Sequence, residues 1–287
     1  PNFSNEVYEK PRELDYIAKR PVVTITKLSP IIKAVDVMVS RSIRRLPVVD
    51  AANKLIGLVT STDLINFFGG GDFFNIIKVK HRGNFYSAIN EPIEQITARN
   101  VIYANLKESF VDVLEKMVKT GYGAIPILTD DGKIYGIITE RDVVNLLAGK
   151  PSDKKVEDVM TTELITIDEE ASVEEASKRM ILNHIRRLPV LKGDKITGMV
   201  VAMDLLRFFG GDAFRKLILG NVDEVMSTPV REIMSTQLFT VSPKDSLGSA
   251  AELMRNFRVG SLLVLDADSR PLGIITERDL LLALTLR

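Results

Sequence analysis

Apolar and polar positions along this chain run through the same order four times. In the third occurrence the short β-branched stretch Leu164 to Ile167 predicts a strand, and the polar run from Asp168 opens a segment whose apolar positions Val173, Ala176 and Met180 recur at helical spacing. Leu188 to Leu191 predicts a second strand, Gly193-Asp194 a hairpin turn, Ile196 to Val201 a third strand and Met203 to Phe209 a second helix. The unit is strand, helix, strand, strand, helix, which makes the chain α/β. A methionine stands six residues ahead of the same Arg or Gly position in every repeat (Met38, Met117, Met180, Met254), and its expected place is the buried helix face.

Two motifs mark each repeat. GLVTSTD (Gly57 to Asp63), GIITERD (Gly136 to Asp142), GMVVAMD (Gly198 to Asp204) and GIITERD (Gly273 to Asp279) share a Gly-apolar-apolar-x-x-x-Asp frame. Each follows IRRLPVV from Ile43, GAIPIL from Gly123, IRRLPVL from Ile185 or GSLLVL from Gly260. Repeats one and three carry the Arg-Arg pair and end in Phe-Phe-Gly-Gly (Phe67 to Gly70, Phe208 to Gly211), whereas two and four carry Gly in its place and share Thr-Glu-Arg-Asp. The order is A-B-A′-B′, a duplicated pair. The boundaries read from the sequence are a tail 1–13, repeat one 14–72, a linker 73–90, repeat two 91–150, repeat three 151–213, a linker 214–226 and repeat four 227–287. Units of this size are marginal alone and are expected to pair through their apolar faces.

Composition narrows the function. With 45% hydrophobic residues in 287, the chain can bury a large core or two medium ones. No apolar run approaches the ~20 residues of a membrane span, and Pro1 to Lys10 is polar with no signal-peptide core, so a soluble, cytoplasmic protein is expected. The start at Pro1 rather than Met leaves room for a removed N-terminal segment. Cysteine is absent and His numbers 2, so neither a disulfide framework nor a zinc site is expected. The 38 basic side chains balance 38 acidic ones, giving no global field for DNA, RNA or anionic lipid, and any anion site must be local. No nucleophile is paired with a base and no P-loop occurs; the glycines at 69–71 and 210–211 follow helices and read as C-caps or turns. The expectation is a protein that is not an enzyme.

The β-α-β-β-α order, the strand IRRLPVV and the G-h-h-T-x-x-D turn in three copies resemble CBS domains, over about Leu14 to Leu286. The A-B pairs resemble Bateman modules. Four such units with no attached catalytic domain are similar to the γ subunit of AMP-activated protein kinase, above all to its stand-alone archaeal relatives, which Phe67 to Ile93 also resembles. The resemblance implies two Bateman modules in a disc-like body that binds AMP, ADP or ATP, has no catalytic cofactor, and regulates a kinase, enzyme or transporter by shifting module geometry. A homodimer is a further arrangement it allows. The alternatives are an S-adenosyl ligand, whose positive sulfonium suits phosphate-facing arginines poorly, a nucleic-acid scaffold, for which no basic stripe or stacking platform exists, and the regulatory remnant of an enzyme.

The residues offer candidate sites at several levels. Thr60, Thr139 and Thr276 with Asp63, Asp142 and Asp279 have the spacing of a capping box, which by itself explains the pattern at about 1 kcal/mol each. Asp in place of the usual Glu or Gln, and Asp204 persisting where Val201 has replaced the hydroxyl, point beyond a cap. The resemblance gives these Asp residues the ribose hydroxyls, and the Thr hydroxyls and helix amides the phosphates. Lacking the hydroxyl, the Asp204 turn is expected to hold phosphorylated nucleotides more weakly. Arg45 and Arg187, then Arg44 and Arg186, are candidate phosphate clamps, with helix-dipole complements as the plainer reading. Arg141 and Arg278 are either phosphate ligands or surface charges. Thr24, Thr166 and Thr240, aligned with Tyr103, stand where the resemblance implies adenine contacts, though Thr is ordinary in strands. Lys80, His81 and Arg82 form a basic cluster, read as a solvated helix end or as secondary phosphate ligands; His184 reads as a surface residue at a helix end.

Overall fold

A computed structural model describes residues 13–285. Of the tail set off at 1–13 only Glu13 falls within them, and Leu286 and Arg287 also lie outside the described residues. Repeat one is the strand Ile25–Thr26, the helix Ile31–Arg41, the hairpin Arg45–Val49 and Leu55–Thr60, and the helix Ser61–Phe68. Repeat two is Ala104–Asn105, Phe110–Thr120, Ala124–Leu128, Ile134–Thr139 and Glu140–Leu147 in the same order. Repeat three is Ile167–Asp168, Val173–Asn183, Arg187–Lys192, Lys195–Val201 and Ala202–Gly210. Repeat four is Thr240–Val241, Leu247–Phe257, Ser261–Leu265, Pro271–Thr276 and Glu277–Thr285. Each repeat has its own three-stranded sheet, the opening strand parallel to the middle one and the hairpin antiparallel. The expected strand from Leu164 contracts to Ile167–Asp168, the two residues that pair with Val190 and Leu191.

The cause of that contraction is an exchange. The segment ahead of each opening strand leaves its own sheet and pairs with the third strand of another repeat: Lys19 with Ile137, Ala98 with Leu58, Thr161 with Ile274 and Ser235 with Met199. Each bridge partner follows the glycine that opens the turn motif. A Cβ on Gly57 would stand 2.5 Å from the Ala98 carbonyl oxygen, and one on Gly273 2.5 Å from that of Thr161, so glycine is what admits the crossing backbone. Residues 13–18 accordingly pack away from repeat one. Leu14 and Ala18 join the core around Phe110, Leu114 and Ile125, and Glu13 Oε2 accepts the Phe110 N–H at 2.9 Å.

Among the described residues, close contacts divide the chain into two bodies, one of residues 23–101 and 165–237 and one of 13–22, 102–164 and 238–285. The first, the odd body, joins repeats one and three. The helices Ser61–Phe68 and Ala202–Gly210 pack on each other and on the first helices of both repeats, with Phe68 stacked on Phe209 at 5.4 Å between centroids. Gly69 lies against Ser177 and Gly210 against Val35, equivalent positions on the two first helices, so the Phe-Phe-Gly-Gly motif supplies both the aromatic core and the close helix approach. The second, the even body, joins repeats two and four through Glu140–Leu147, Leu247–Phe257 and Glu277–Thr285. Met38, Met117, Met180 and Met254 are all buried on their helix faces. No helix among the described residues is long and apolar enough to cross a membrane.

Candidate functional site

The strand-to-helix turns are built from local bonds. Asp63 Oδ2 accepts both the Thr60 N–H at 2.8 Å and the Thr60 hydroxyl at 3.0 Å, while Thr60 Oγ1 accepts the Asp63 N–H at 3.3 Å. Asp142 Oδ2 accepts the Thr139 N–H and hydroxyl at 2.8 and 3.1 Å, and Asp279 Oδ2 those of Thr276 at 2.9 and 3.1 Å. At Val201 only the backbone bond to Asp204 Oδ2 remains, at 2.8 Å. The Thr60 and Thr276 turns are complete capping boxes made with Asp, with Asp279 N–H donating to Thr276 Oγ1 at 3.2 Å.

The geometry revises two expected roles. An ionised carboxylate can only accept, so the hydrogen of each Thr hydroxyl is committed to its Asp and is not offered to a phosphate. The missing hydroxyl at Val201 is therefore a lost capping bond before it is a lost ligand contact. The first helical amide is committed too. Ser61 N–H donates to the Arg44 carbonyl at 2.8 Å, and Glu140, Ala202 and Glu277 do the same to Gly123, Arg186 and Gly260. In repeat one these bonds leave the amide of Thr62, within the first three helical residues, for an anion.

What differs among the turns is the second carboxylate oxygen. Lys19 Nζ stands 3.4 Å from Asp142 Oδ1, and Thr161 Oγ1 donates to Asp279 Oδ1 at 3.2 Å. Asp204 Oδ1 has Arg207 Nη1 at 3.6 Å, one turn along its own helix. At Asp63 the bonds all run to Oδ2, within the cap. Burial pushes the Asp63 carboxyl up to about 6, against the lowering effect of the Thr60 bonds. Burial also raises Asp204, opposed by the Val201 N–H and by Arg207.

The cationic candidates separate by body. Arg44 lies beyond the helix that ends at Arg41 and Arg45 opens the next strand, so the pair is not the helix-end cation that the sequence suggests. Arg45 is the ladder partner of Thr60, and Arg187 that of Val201, which sets each Arg directly across from the cap residue of its own turn. All four residues of the two pairs are half-buried. Arg141 and Arg278 are drawn elsewhere: Arg141 pairs with Glu277 and Arg278 with Glu140, both at 3.4 Å, and Arg278 also donates to the Met117 carbonyl at 3.1 Å. They are not free surface charges, since the glutamates they meet are buried.

The remaining candidates are dispersed. Thr24 and Thr166 are half-buried just ahead of their short strands, whereas Thr240 and Tyr103 are exposed. Lys80 ends a π-helical turn, Ile76–Lys80, and its Nζ meets Glu91 Oε1 at 2.7 Å. The same oxygen takes His81 Nε2 at 2.7 Å, and His81 Nδ1 is 2.9 Å from Ser87 Oγ. The cluster is thus exposed at Lys78, Lys80 and Arg82, yet Lys80 and His81 are tied to Glu91, and Lys80 holds the Glu91 carboxyl below the usual range. Arg82 follows in left-handed backbone at φ 52°. His184 caps its helix at φ 53° and is exposed. No cluster of three or more potential metal ligands occurs among the described residues.

Sequence reasoning missed Lys19 and Thr161 as neighbours of the turn acids. The motif glycines carried the only signal, because a glycine invariant across the repeats inside a strand marks a close backbone approach.

The model of the CBS domain matches residues 13–70, 93–149, 156–211 and 230–286. The protein MJ1225 of Methanocaldococcus jannaschii is 34% identical over 273 residues, covering 94% of this chain and 98% of its own. Its crystal structure, proposed as that of an archaeal homolog of γ-AMPK, superposes with a TM-score of 0.89 over 94% of this chain and 99% of that one. A 33.4 kDa protein of the ribosomal RNA operon of Thermofilum pendens is 30% identical over 91% of this chain and 87% of its own. A conserved protein of Pyrococcus horikoshii shares the fold at 20% identity and a TM-score of 0.60, over 93% of this chain and 97% of that one. With the family matched in all four repeats and a relative alike along nearly the whole length, this chain belongs to the CBS domain family.

Proposed function

We propose that the protein is a regulatory, energy-sensing binder of adenosine nucleotides, AMP, ADP or ATP, held at the strand-to-helix turns of the CBS repeats. The observation that carries the reading is Asp63. A half-buried carboxylate raised to about 6 is a destabilised anion with an acceptor oxygen outside its cap, and Arg45 stands across the ladder from the Thr60 that holds it. An acid for two ribose hydroxyls beside a cation for phosphate, at one turn, suits a nucleotide. Asp204 with Arg187 repeats the arrangement in the same body. The likeness to a relative proposed as a γ-AMPK homolog supports the regulatory part of this reading.

Binding shifts the population of module geometries, and a partner reads the change; the nucleotide is not consumed. Nucleotides of different phosphate charge engage the Arg groups differently and so bias the geometry to different extents. Isothermal titration with AMP, ADP, ATP, adenosine and S-adenosylmethionine tests this. The expected result is micromolar or tighter binding of a phosphorylated nucleotide, weakened at least tenfold in Asp63→Asn, as befits a lost charged hydrogen bond of about 1.5 to 3 kcal/mol. Arg45→Ala should weaken AMP more than adenosine. Absence of heat for every adenosine ligand, or a preference for S-adenosylmethionine over AMP, would overturn the reading.

A further inference from the structure

We infer that the side chain delivered by the exchanged segment sets the difference in occupancy between the Asp63 and Asp142 turns, and that Lys19 closes the Asp142 turn as a tethered counter-ion. The inference rests on the nucleotide reading above. The four bridges occupy one register: Leu58, Ile137, Met199 and Ile274 each stand one place after the motif glycine, and their partners are Ala98, Lys19, Ser235 and Thr161. Equivalent backbone therefore presents four different side chains beside four equivalent acids.

At Asp142 and Asp279 the second carboxylate oxygen meets the exchanged side chain, whereas at Asp204 it meets Arg207 of its own helix. Lys19 brings its ammonium to 3.4 Å from Asp142 Oδ1, and Thr161 its hydroxyl to 3.2 Å from Asp279 Oδ1. Ala98 has no polar side-chain atom, and Asp63 keeps only its capping bonds among the described residues. A ribose diol must donate two hydrogen bonds to the carboxylate. An ammonium on Oδ1 takes the same lone pairs and cancels the charge that makes the acceptor strong. The Asp142 turn thus carries a built-in substitute for the sugar, and the Asp63 turn carries none. The side chain at the exchanged position can be changed without disturbing the bridge, which runs through Lys19 N–H to the Ile137 carbonyl at 2.9 Å and Ile137 N–H to the Lys19 carbonyl at 3.3 Å. Lys19 and Ala98 are both exposed, so neither exchange buries a charge.

The test is a reciprocal swap read with AMP as the probe, by native mass spectrometry and calorimetry on the full chain. At an AMP concentration that fills the Asp63 turn of the unmodified protein, Lys19→Ala should add one bound AMP, and the gain should vanish when Asp142→Asn is added. Ala98→Lys should remove one AMP, through at least a tenfold loss of affinity at the Asp63 turn. Lys19→Met retains the aliphatic stem and should reproduce the gain if Ala loosens the segment. If the unmodified protein binds AMP and neither Lys19→Ala, Lys19→Met nor Ala98→Lys changes the count, the counter-ion inference is wrong and the nucleotide reading stands. If the unmodified protein binds none of AMP, ADP and ATP, both fall.

Discussion

At the scale of single residues, Asp63 separates a structural role from a functional one by the sign of its effect on stability. A carboxyl raised by burial to about 6, from 3.8, binds its proton more tightly in the folded chain than in the unfolded one. Stability is therefore highest below pH 4 as far as this group is concerned, falls as pH rises toward 6, and stays lower by roughly 3 kcal/mol once the group is ionised. Asn keeps an acceptor for the Thr60 N–H and carries no charge. Asp63→Asn should thus stabilise the protein by about 1 to 3 kcal/mol at pH 8 and flatten its stability between pH 4 and 6, measured by urea unfolding at each pH. A variant less stable at pH 8 would mean that the cap is the whole reason for the acid.

At the scale of elements, the turn depends on a segment that arrives from far away in the sequence. Gly57 admits it, and a Cβ there would lie 2.4 Å from Thr97 Cγ2 and 2.5 Å from the Ala98 carbonyl oxygen. Gly57→Ala should force the bridge apart and cost about 1 to 3 kcal/mol, the range for overpacking, in thermal or urea unfolding. An unchanged midpoint would show that the segment yields at no cost. Much of each element was legible in the sequence because its causes are local. Helical spacing placed Val173, Ala176 and Met180 on a buried face, Gly193-Asp194 turned the hairpin, and Thr-x-x-Asp marked the caps. The exchange was not legible, since nothing near Lys19 or Thr161 announces a strand edge in another repeat. For the same reason the opening strands came out shorter than Leu164 to Ile167 suggested, and the Thr hydroxyls turned out to serve the cap.

At the scale of the molecule, the A-B-A′-B′ order sorts its chemistry into two bodies. The odd body gathers both Arg pairs, Asp63, Asp204 and the stacked Phe68 and Phe209. In the even body, Arg141 with Glu277 and Arg278 with Glu140 cross between repeats at the first turns of their helices. Ser61 and Ala202 fill the equivalent Glu positions of the odd body, both buried and without charge. Ion pairs whose glutamates are buried add little net stability, so the even-body pairs are no evidence of a stronger interface. The central claim, that this CBS protein holds adenosine nucleotides without consuming them, is tested most directly by native mass spectrometry of the purified chain, alone and at saturating AMP, ADP or ATP. The expected spectrum carries mass increments of intact adenosine nucleotide, released unchanged on denaturation. A spectrum showing only the bare chain at saturating AMP, ADP and ATP alike, or a nucleotide recovered in cleaved form, would contradict it.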